Sequence, residues 1–268
     1  MLAQTAKDTL SMKQSGNTIL MTGGGSGIGA GLAQRFHDAG NTVIVAGRRR
    51  EALEQTVAGR ANMHAVVLDV SDPASITAFA QDVIARFPAL NVLFNNAGIM
   101  KLEPLDTARD LSVAEATIET NLLGPIRLID AFVEHLCAQP DAAIVNVTSG
   151  LAFVPLVAAA TYSASKAALH SYTVSLRMGL EGKVEVIELA PPAVQTGLTP
   201  GQETRPGYQP LPEFIEQVMA KFTQQPTPEE VVVDRAVGLR NAEAEGRSKE
   251  ALAQINAFAS QARASQPG

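Results

Sequence analysis

The chain has 268 residues, of which 46% are hydrophobic, and this suits one large α/β domain with a buried core. Its formal net charge of −6 argues against partners such as nucleic acid or an anionic membrane surface, because both require clustered positive charge. Cys137 is the only cysteine, so no internal disulfide can form, and no apolar run reaches the ~20 residues that cross a bilayer. We expect a cytoplasmic protein with a flexible extension over residues 1–16 and a single domain over 17–268.

Short apolar runs alternate with helical patterns along most of the chain. The predicted strands are rich in Val, Ile and Leu and comprise Thr18–Thr22, Thr42–Ala46, Met63–Asp69, Val92–Asn95, Ala143–Thr148 and Val184–Leu189. The predicted helices are Ile28–Ala39, Glu51–Val57, Pro73–Arg86, Leu111–Leu136 and Ala164–Glu181. This alternation predicts an α/β fold, a Rossmann-type doubly wound parallel sheet of strand order 3-2-1-4-5-6 with helices on both faces.

The remaining part of the chain departs from this alternation. Residues from about 193 to 226 are rich in proline and predict loops with a short helix near Glu213–Phe222, a candidate lid over a site. From Glu229 the pattern predicts a helix to about Asn241, and then a second helix over Lys249–Arg263. A seventh strand is therefore doubtful.

A glycine-rich loop, MTGGGSGIG, follows the first predicted strand and opens the first predicted helix. Free backbone N–H groups and the positive dipole end hold phosphate at such a position, and glycines let the ligand touch the backbone. An ordinary βα loop is the alternative, but the order of strand, loop and helix favours a dinucleotide. The predicted contacts are Gly23, Gly25, Ser26, Gly27, Ile28 and Gly29.

The end of the second strand indicates which dinucleotide binds. An acid about 20 residues beyond the loop commonly binds the ribose hydroxyls of NAD, but here Gly47 occupies that position and Arg48 follows. A guanidinium pairs with a 2′-phosphate, which a carboxylate would repel. The sequence thus predicts NADP(H) over NAD(H), with Arg48 the first candidate and Arg49 the second. For Arg49 and Arg50, a solvated turn is the favoured alternative.

Further candidate cofactor contacts lie at the ends of later strands. Asp69 could meet the adenine amino group, or it could cap the helix that starts at Pro73, as Ser71 or Asp72 could equally. The small residues of NNAG would let the nicotinamide half approach the backbone. The other predicted contacts are Val70, Asn95, Ala97, Gly98, Pro192 and Val194.

The motif YSASK places Tyr162 and Lys166 four residues apart, on one face of a helix. A free tyrosine has a pKa near 10, and a nearby ammonium or an oxidised nicotinamide would lower it, making the phenol usable as a general acid–base. Alone, such a pair is a common surface feature. Here it follows TGGGSGIG, NNAG, Asn121 in TNLLG and Ser149 in IVNVTS, in that order.

That combination, over about Thr18–Thr196, resembles the short-chain dehydrogenase/reductase family in its single-domain branch. The stretches NTVIVAGRRREAL and ELAPPAVQT are similar to its DltE-type oxidoreductases. The resemblance implies an NADPH-dependent carbonyl reductase, reversible as an alcohol dehydrogenase, acting on a ketone or aldehyde as a homodimer or homotetramer. A non-catalytic NADP-sensing regulator is the alternative, although such a protein usually loses the Tyr or the Lys. A nucleotide-sugar epimerase would usually be longer and carry TGxxGxxG.

The resemblance also implies roles for individual residues. Tyr162 would protonate the carbonyl oxygen, and Lys166 would hold the nicotinamide ribose and lower the Tyr162 pKa. Ser149 would hydrogen-bond the substrate oxygen. Asn121 would link Lys166 to solvent through a main-chain kink and an ordered water, and Thr196 would reach the nicotinamide carboxamide. Taken singly, Ser149 has the alternative of a strand-end turn residue, and Asn121 that of a helix-kinking one.

The sequence departs from the family pattern at three places. The usual seventh-strand sequence ending in a Gly-Gly turn is not apparent, because NAEAEGRSKEALAQINAFASQARA is helix-like, which puts the last strand and any tetramer contact through it in doubt. Pro191-Pro192 stands where many members have Pro-Gly, and Ser26 stands where some NADP-preferring members have a basic residue, which leaves 2′-phosphate selection to Arg48. The four histidines have no metal-ligand spacing, so we expect no metal. Apolar pocket candidates favour an apolar or aromatic substrate, although they could instead cover the core or a subunit contact. They are Leu151, Phe153, Val154, Leu156, Leu198 and Tyr208.

Overall fold

The computed structural model describes residues 11–264. Within that range the strands are β1 (Thr18–Thr22), β2 (Thr42–Gly47), β3 (Met63–Val67), β4 (Leu90–Asn95), β5 (Ala143–Val147), β6 (Glu185–Ala190) and β7 (Glu230–Val232). They form one sheet in the order β3-β2-β1-β4-β5-β6-β7, and every neighbouring pair is parallel. The predicted doubly wound order is confirmed.

The helices cover both faces of this sheet. They are α1 (Gly27–Asp38), α2 (Arg50–Val57), α3 (Pro73–Arg86), α4 (Ser112–Ile118), α5 (Gly124–Cys137), α6 (Ala160–Gly179), α7 (Leu211–Phe222), α8 (Asp234–Arg240) and α9 (Ser248–Ala264). On β1, Ile19 and Met21 pack with α1 and α7, whereas Leu20 packs with α3 and α5 on the other face. The central strands β1, β4 and β5 are largely apolar because both of their faces are buried.

A seventh strand, which the sequence left in doubt, is present. The stretch that begins at Glu230 was expected to be helical, but Glu230–Val232 pairs with β6, and α8 starts only at Asp234. Val231 is fully buried beside Leu189 in that pairing. Pairing with β6 therefore decides the conformation of this short β-branched run, and a local pattern does not contain that information.

The long predicted helix Leu111–Leu136 corresponds to α4 and α5, which are joined by a wide helical turn. Residues Glu119–Leu123, between α4 and α5, are π-helical. Such a turn inserts one extra residue and frequently lies at a functional site. Here it contains Asn121, the polar residue at which a kink was expected.

The predicted lid over residues 193–226 divides into two parts. α7 is part of the core: Phe214 and Val218 are fully buried and pack with α1. Only the earlier part, from Ala193 to Tyr208, borders the cleft and the adjoining pocket described below. No helix in the described range is both long and apolar enough to span a membrane.

The start of the described chain packs against the body, which differs from the flexible extension expected for residues 1–16; residues 1–10 lie outside the described range. Met12 is buried, and its N–H donates to Glu185 Oε2 at 2.5 Å. Ser11 Oγ donates to Gln225 Oε1 at 2.6 Å. Burial raises the pKa of Glu185 to about 7, and the bonds from Met12 and Thr227 only partly oppose this.

Glu185 should make the protein less stable as the pH rises. Its pKa is higher in the folded chain than in the unfolded chain, so the folded state binds the proton more tightly, and stability falls between about pH 4.5 and 7. We expect Glu185→Gln to flatten this part of the pH dependence, as measured by urea unfolding from pH 5 to 8. An unchanged slope in the variant would contradict the assignment.

Candidate active site

A cleft of about 480 Å³ opens where the carboxyl ends of the strands meet. In doubly wound sheets the crevice at this edge, where the strand order reverses beside β1, is the usual ligand site. Most of the predicted residues line it: Gly23, Ser26, Gly27, Ile28, Gly29, Arg48, Arg49, Asp69, Val70, Ala97, Gly98, Ser149, Tyr162, Lys166, Pro192, Val194 and Thr196. Gly25, Asn95 and Asn121 are not among its lining residues.

The glycines of the loop after β1 allow its backbone to pack closely against α1 and the loop after β4. A Cβ on Gly29 would lie 2.4 Å from Gly23 O, and Gly23 itself has φ +66°, so neither position suits a side chain. The first turn of α1 has no acidic residue, and the Ser26 side chain does not cap it. The N–H groups of this turn are thus free of a competing carboxylate or cap, and they fit the phosphates of a dinucleotide.

Asn96, which the sequence reasoning missed, holds this loop. Its Nδ2 donates to Thr22 O at 2.9 Å, while Thr22 Oγ1 accepts from the backbone N–H groups of Asn96 and Ala97 at 3.0 and 3.1 Å. The predicted Asn95 is instead buried inside the sheet and donates to Asn146 Oδ1 at 2.9 Å. Of the two asparagines in NNAG, the second therefore borders the cleft.

At the end of the cleft next to β2, the exposed Arg48 follows the strand directly. Arg49 Nη2 donates to Ser26 Oγ at 3.5 Å, which turns this side chain toward the phosphate loop. Arg50 points elsewhere, because its Nη1 lies 3.9 Å from Glu54 along α2. Two guanidinium groups and no acid at Gly47 make this end suitable for a 2′-phosphate.

Asp69 follows β3, the strand that pairs with β2, and it also lines the cleft. Burial alone would raise the pKa of Asp69, but hydrogen bonds from Ser71 and the charge of Arg48 lower it overall. Its Oδ1 accepts from Ser71 N at 3.0 Å and Ser71 Oγ at 2.6 Å. The capping alternative does not apply to Asp69, because Asp72 Oδ1 caps α3 by accepting from Ala74 N at 2.9 Å.

Tyr162 and Lys166 both lie on the cleft side of α6, with the Lys166 Nζ 5.8 Å from the centroid of the Tyr162 ring. Nζ donates to Val147 O at 2.8 Å. Burial raises the pKa of Tyr162 to about 12, against a smaller opposing effect of its hydrogen bond with Ser149. Burial lowers the pKa of Lys166 to about 8. In the chain by itself, burial therefore outweighs the lowering of the Tyr162 pKa that we expected from Lys166.

Ser149 stands two residues after β5 and begins a short 3-10 turn, Gly150–Ala152. Its extended backbone and its Oγ, which accepts from Leu151 N at 3.1 Å, fix the hydroxyl beside Tyr162. Ser149 is therefore a turn residue near the end of a strand, the alternative considered from the sequence, and it also lines the cleft.

Asn121 is fully buried behind the cleft at the π-helical turn. Its Oδ1 accepts from Ile99 N at 2.8 Å, and its Nδ2 donates to Ile99 O at 2.9 Å and to Ser165 Oγ at 3.2 Å. A Cβ on Gly98 would lie 3.3 Å from Asn121 Oδ1 and 3.6 Å from Lys166 Nζ. Asn121 thus lies behind Gly98, near Lys166, and fixes the loop after β4.

A charged cluster that the sequence did not indicate lies behind Ser149. The fully buried Glu188 accepts from Thr148 Oγ1 at 2.6 Å and lies 2.7 Å from His170 Nδ1. Together with Glu230 these groups could in geometry hold a metal ion. However, Arg240 already binds both Glu230 oxygens, at 2.5 and 2.9 Å, so the cluster has its own counter-charge.

An apolar pocket of about 80 Å³ adjoins the cleft at Ser149 and Tyr162. Four of the predicted pocket residues line it: Leu151, Leu156, Leu198 and Tyr208. Phe153 and Val154 do not; they pack with Ala242 and Ala251 behind it. The pocket also has a wall from α9, which sequence reasoning missed.

Comparison with known proteins assigns the family. A sequence model described as short chain dehydrogenase matches residues 17–206. The "Uncharacterized oxidoreductase DltE" of Bacillus subtilis is 40% identical over 237 residues, which cover 86% of this chain and 93% of that protein.

Solved structures agree with this assignment. A short chain dehydrogenase from Burkholderia cenocepacia in complex with NADP has a TM-score of 0.77 and 28% identity, covering 91% of this chain and 99% of that one. A 3-ketoacyl-(acyl-carrier-protein) reductase from Brucella melitensis complexed with NADH has a TM-score of 0.73 and 25% identity, covering 84% and 100%. The chain belongs to the short chain dehydrogenase family and is an NAD(P)-dependent oxidoreductase acting on CH–OH or C=O groups of small molecules.

Proposed function

We propose that the protein is an NADPH-dependent carbonyl reductase, reversible as an alcohol dehydrogenase, with an apolar or aromatic ketone or aldehyde as substrate. The observation that carries this proposal is the convergence of Ser149, Tyr162 and Lys166 on the same cleft as the glycine loop. NADP(H), when bound, supplies or accepts the hydride.

Tyr162 acts as the proton donor in the reducing direction. Burial raises its pKa to about 12, so the phenol carries a proton at neutral pH, but a general acid–base works best with a pKa near the operating pH. Proton transfer in either direction therefore needs positive charge near the ring to lower this pKa. The reverse reaction needs the phenolate, which is favoured by positive charge near the ring. Lys166 is the nearby group that can carry such charge, and burial lowers its pKa to about 8.

The other predicted residues position groups around this proton transfer. The Ser149 hydroxyl holds the substrate oxygen beside the phenol. Lys166 binds the nicotinamide ribose, and Asn121 fixes the adjacent loop and connects Lys166 to solvent. Thr196, which lies over Gly27 at the start of α1, reaches the carboxamide of the nicotinamide.

Preference for NADPH rests on Arg48, with Arg49 in support. We expect Arg48→Ala to raise the Kd of NADPH about 10- to 100-fold, since a charge-assisted hydrogen bond contributes about 1.5–3 kcal/mol. The Kd of NADH should change little. The matched control is Arg50→Ala, because Arg50 lies beside Glu54 instead. Fluorescence titration with both nucleotides measures this, and equal losses for the two would remove Arg48 from the phosphate site.

A panel of ketones and aldehydes, followed by the loss of NADPH absorbance, tests the reaction itself. Turnover that is lost in Tyr162→Phe supports the proposal. A protein that binds NADPH but turns over no member of the panel would instead favour the role of an NADP-sensing regulator.

We also propose that the enzyme works in the cytoplasm as a homodimer or homotetramer. Its single cysteine suits a reducing compartment. On the outer face of α6, Val174 and Met178 are 42% and 73% exposed, and apolar side chains of this kind are suited to a contact between copies.

A further inference from the structure

The apolar pocket next to Ser149 and Tyr162 is closed on one side by the last helix of the described chain. Ile255, Phe258 and Ala259 of α9 belong to its lining, more than 90 residues beyond Tyr162. Leu151 and Leu156, from the loop after β5, form the facing wall. The helix therefore takes part in the site although no motif lies within it.

α9 is fastened in this position by polar and aromatic contacts. Asn256 Oδ1 accepts from Val157 N at 2.8 Å, and its Nδ2 donates to Pro155 O at 3.2 Å. The Phe258 ring stacks on Tyr208 with a centroid distance of 5.9 Å. Phe258 also fills the space beside Gly207, where a Cβ would lie 2.8 Å from the ring. The wall is therefore tied to the loops on both sides of the pocket.

The size of this pocket limits what can enter. Its volume is about 80 Å³, whereas one water molecule needs roughly 10–15 Å³ of such space. That is room for roughly five to eight water molecules, which suits a single ring or a short branched chain. An apolar arm that grows toward α9 meets Phe258 and Ile255.

The chemistry of the lining limits the charge of the substrate. Among the described residues that line the pocket there is no Asp, Glu, Lys, Arg or His, and the polar side chains are Ser149, Tyr162, Gln202 and Tyr208. Arg205 lies over the Tyr208 ring and donates to Pro200 O at 2.8 Å and to the Tyr208 hydroxyl at 3.4 Å, but it is not part of the lining. A carboxylate or sulfonate in the pocket would lose its hydration without gaining a counter-ion.

We propose that α9 sets the specificity of the enzyme: Phe258, with Ile255 and Ala259, limits the substrate to a compact, uncharged carbonyl compound whose single apolar arm fills this pocket. The reaction in this inference rests on the proposed function, whereas the assignment of the pocket does not.

Benzaldehyde, 2-naphthaldehyde and 4-carboxybenzaldehyde test the proposal as substrates with NADPH. The wild type should favour benzaldehyde over each of the others by at least about tenfold in kcat/KM. Phe258→Ala should reduce the preference over 2-naphthaldehyde about tenfold and leave the rejection of the carboxylate in place. Leu252→Ala is the matched control, because Leu252 is on α9 but outside the lining, and it should leave both ratios unchanged.

A second variant adds bulk instead of removing it, so that the test does not depend on Phe258→Ala folding. Ala259→Leu should weaken the binding of benzyl alcohol, measured by saturation-transfer NMR, by about tenfold or more. If the wild type binds benzyl alcohol and Ala259→Leu weakens that binding, but no aldehyde is reduced, the pocket assignment stands and the proposed reaction is wrong. If aldehydes are reduced with the same size preference in Phe258→Ala as in the wild type, the role of α9 is overturned and the proposed reaction stands.

Discussion

Tyr162→Phe should lower kcat by about 10²- to 10⁴-fold with every carbonyl substrate while NADPH binding stays nearly intact. The substitution removes only the phenolic oxygen, so the ring keeps its place in the buried cluster with Leu156 and Ala159. What disappears is the proton donor beside Ser149. Stopped-flow or steady-state assays measure the chemical step, and fluorescence titration measures the cofactor.

The matched control is Tyr172→Phe, which makes the same chemical change further along α6. Tyr172 packs against the core on the α3 and α5 side of the sheet and is not part of the cleft lining. We expect its kcat to stay within a factor of about two of the wild type. Similar losses in the two variants would mean that Tyr162 acts by holding α6 in place, and the acid–base role would have to be abandoned.

The site can be predicted from sequence wherever a local pattern determines the backbone. Glycines after an apolar strand determine the phosphate loop, because the turn between β1 and α1 needs Gly23 in a left-handed conformation. Four-residue spacing on a helix is enough to place Tyr162 and Lys166 on one side of α6. The strand order follows from the alternation of strands and helices together with the handedness of βαβ crossovers.

Features that depend on distant contacts are outside the reach of such patterns. In NNAG, the sequence does not indicate which asparagine turns toward the cleft; pairing of β4 with β5 turns Asn95 inward and leaves Asn96 to hold the loop. β7 exists because β6 offers it an edge. α9 reaches the pocket only because Asn256 and Phe258 dock on loops that lie far away in sequence.

The pKa values of Tyr162 and Lys166 also depend on the whole fold and not on the local sequence pattern. The residue types of YSASK suggest a tyrosine whose pKa is lowered by its lysine. In the folded chain, burial raises the pKa of Tyr162 and lowers that of Lys166. Burial is a property of the whole fold, so its dominance over the pairwise attraction could not be inferred from spacing. The chain by itself therefore keeps the phenol protonated at neutral pH, and positive charge beside the ring is what would bring its pKa down.

Gly29→Ala should lose NADPH and NADH together, in contrast to a change at Arg48. In an α-helix alanine is normally favoured over glycine by about 0.5–1 kcal/mol. Here the new Cβ would lie 2.4 Å from Gly23 O and 2.4 Å from Asn96 Nδ2, and relieving such overpacking costs about 1–3 kcal/mol. The steric cost is larger, so the loop must move away from Asn96, and its N–H groups no longer converge on phosphate.

We expect the Kd of both nucleotides to rise at least about tenfold and the free energy of unfolding to fall by about 1–2 kcal/mol. Gly179→Ala is the control: it adds the same methyl group to a helix, at the end of α6, where no atom lies within 4 Å. That variant should bind both nucleotides as the wild type does and be at least as stable. Asn96 Nδ2 is one of the two groups that the new Cβ would meet at 2.4 Å, the other being Gly23 O, so Gly29→Ala with Asn96→Ala should recover part of the lost stability. A double variant as unstable as the sum of its single changes would show that the contact with Gly23 O alone sets the cost.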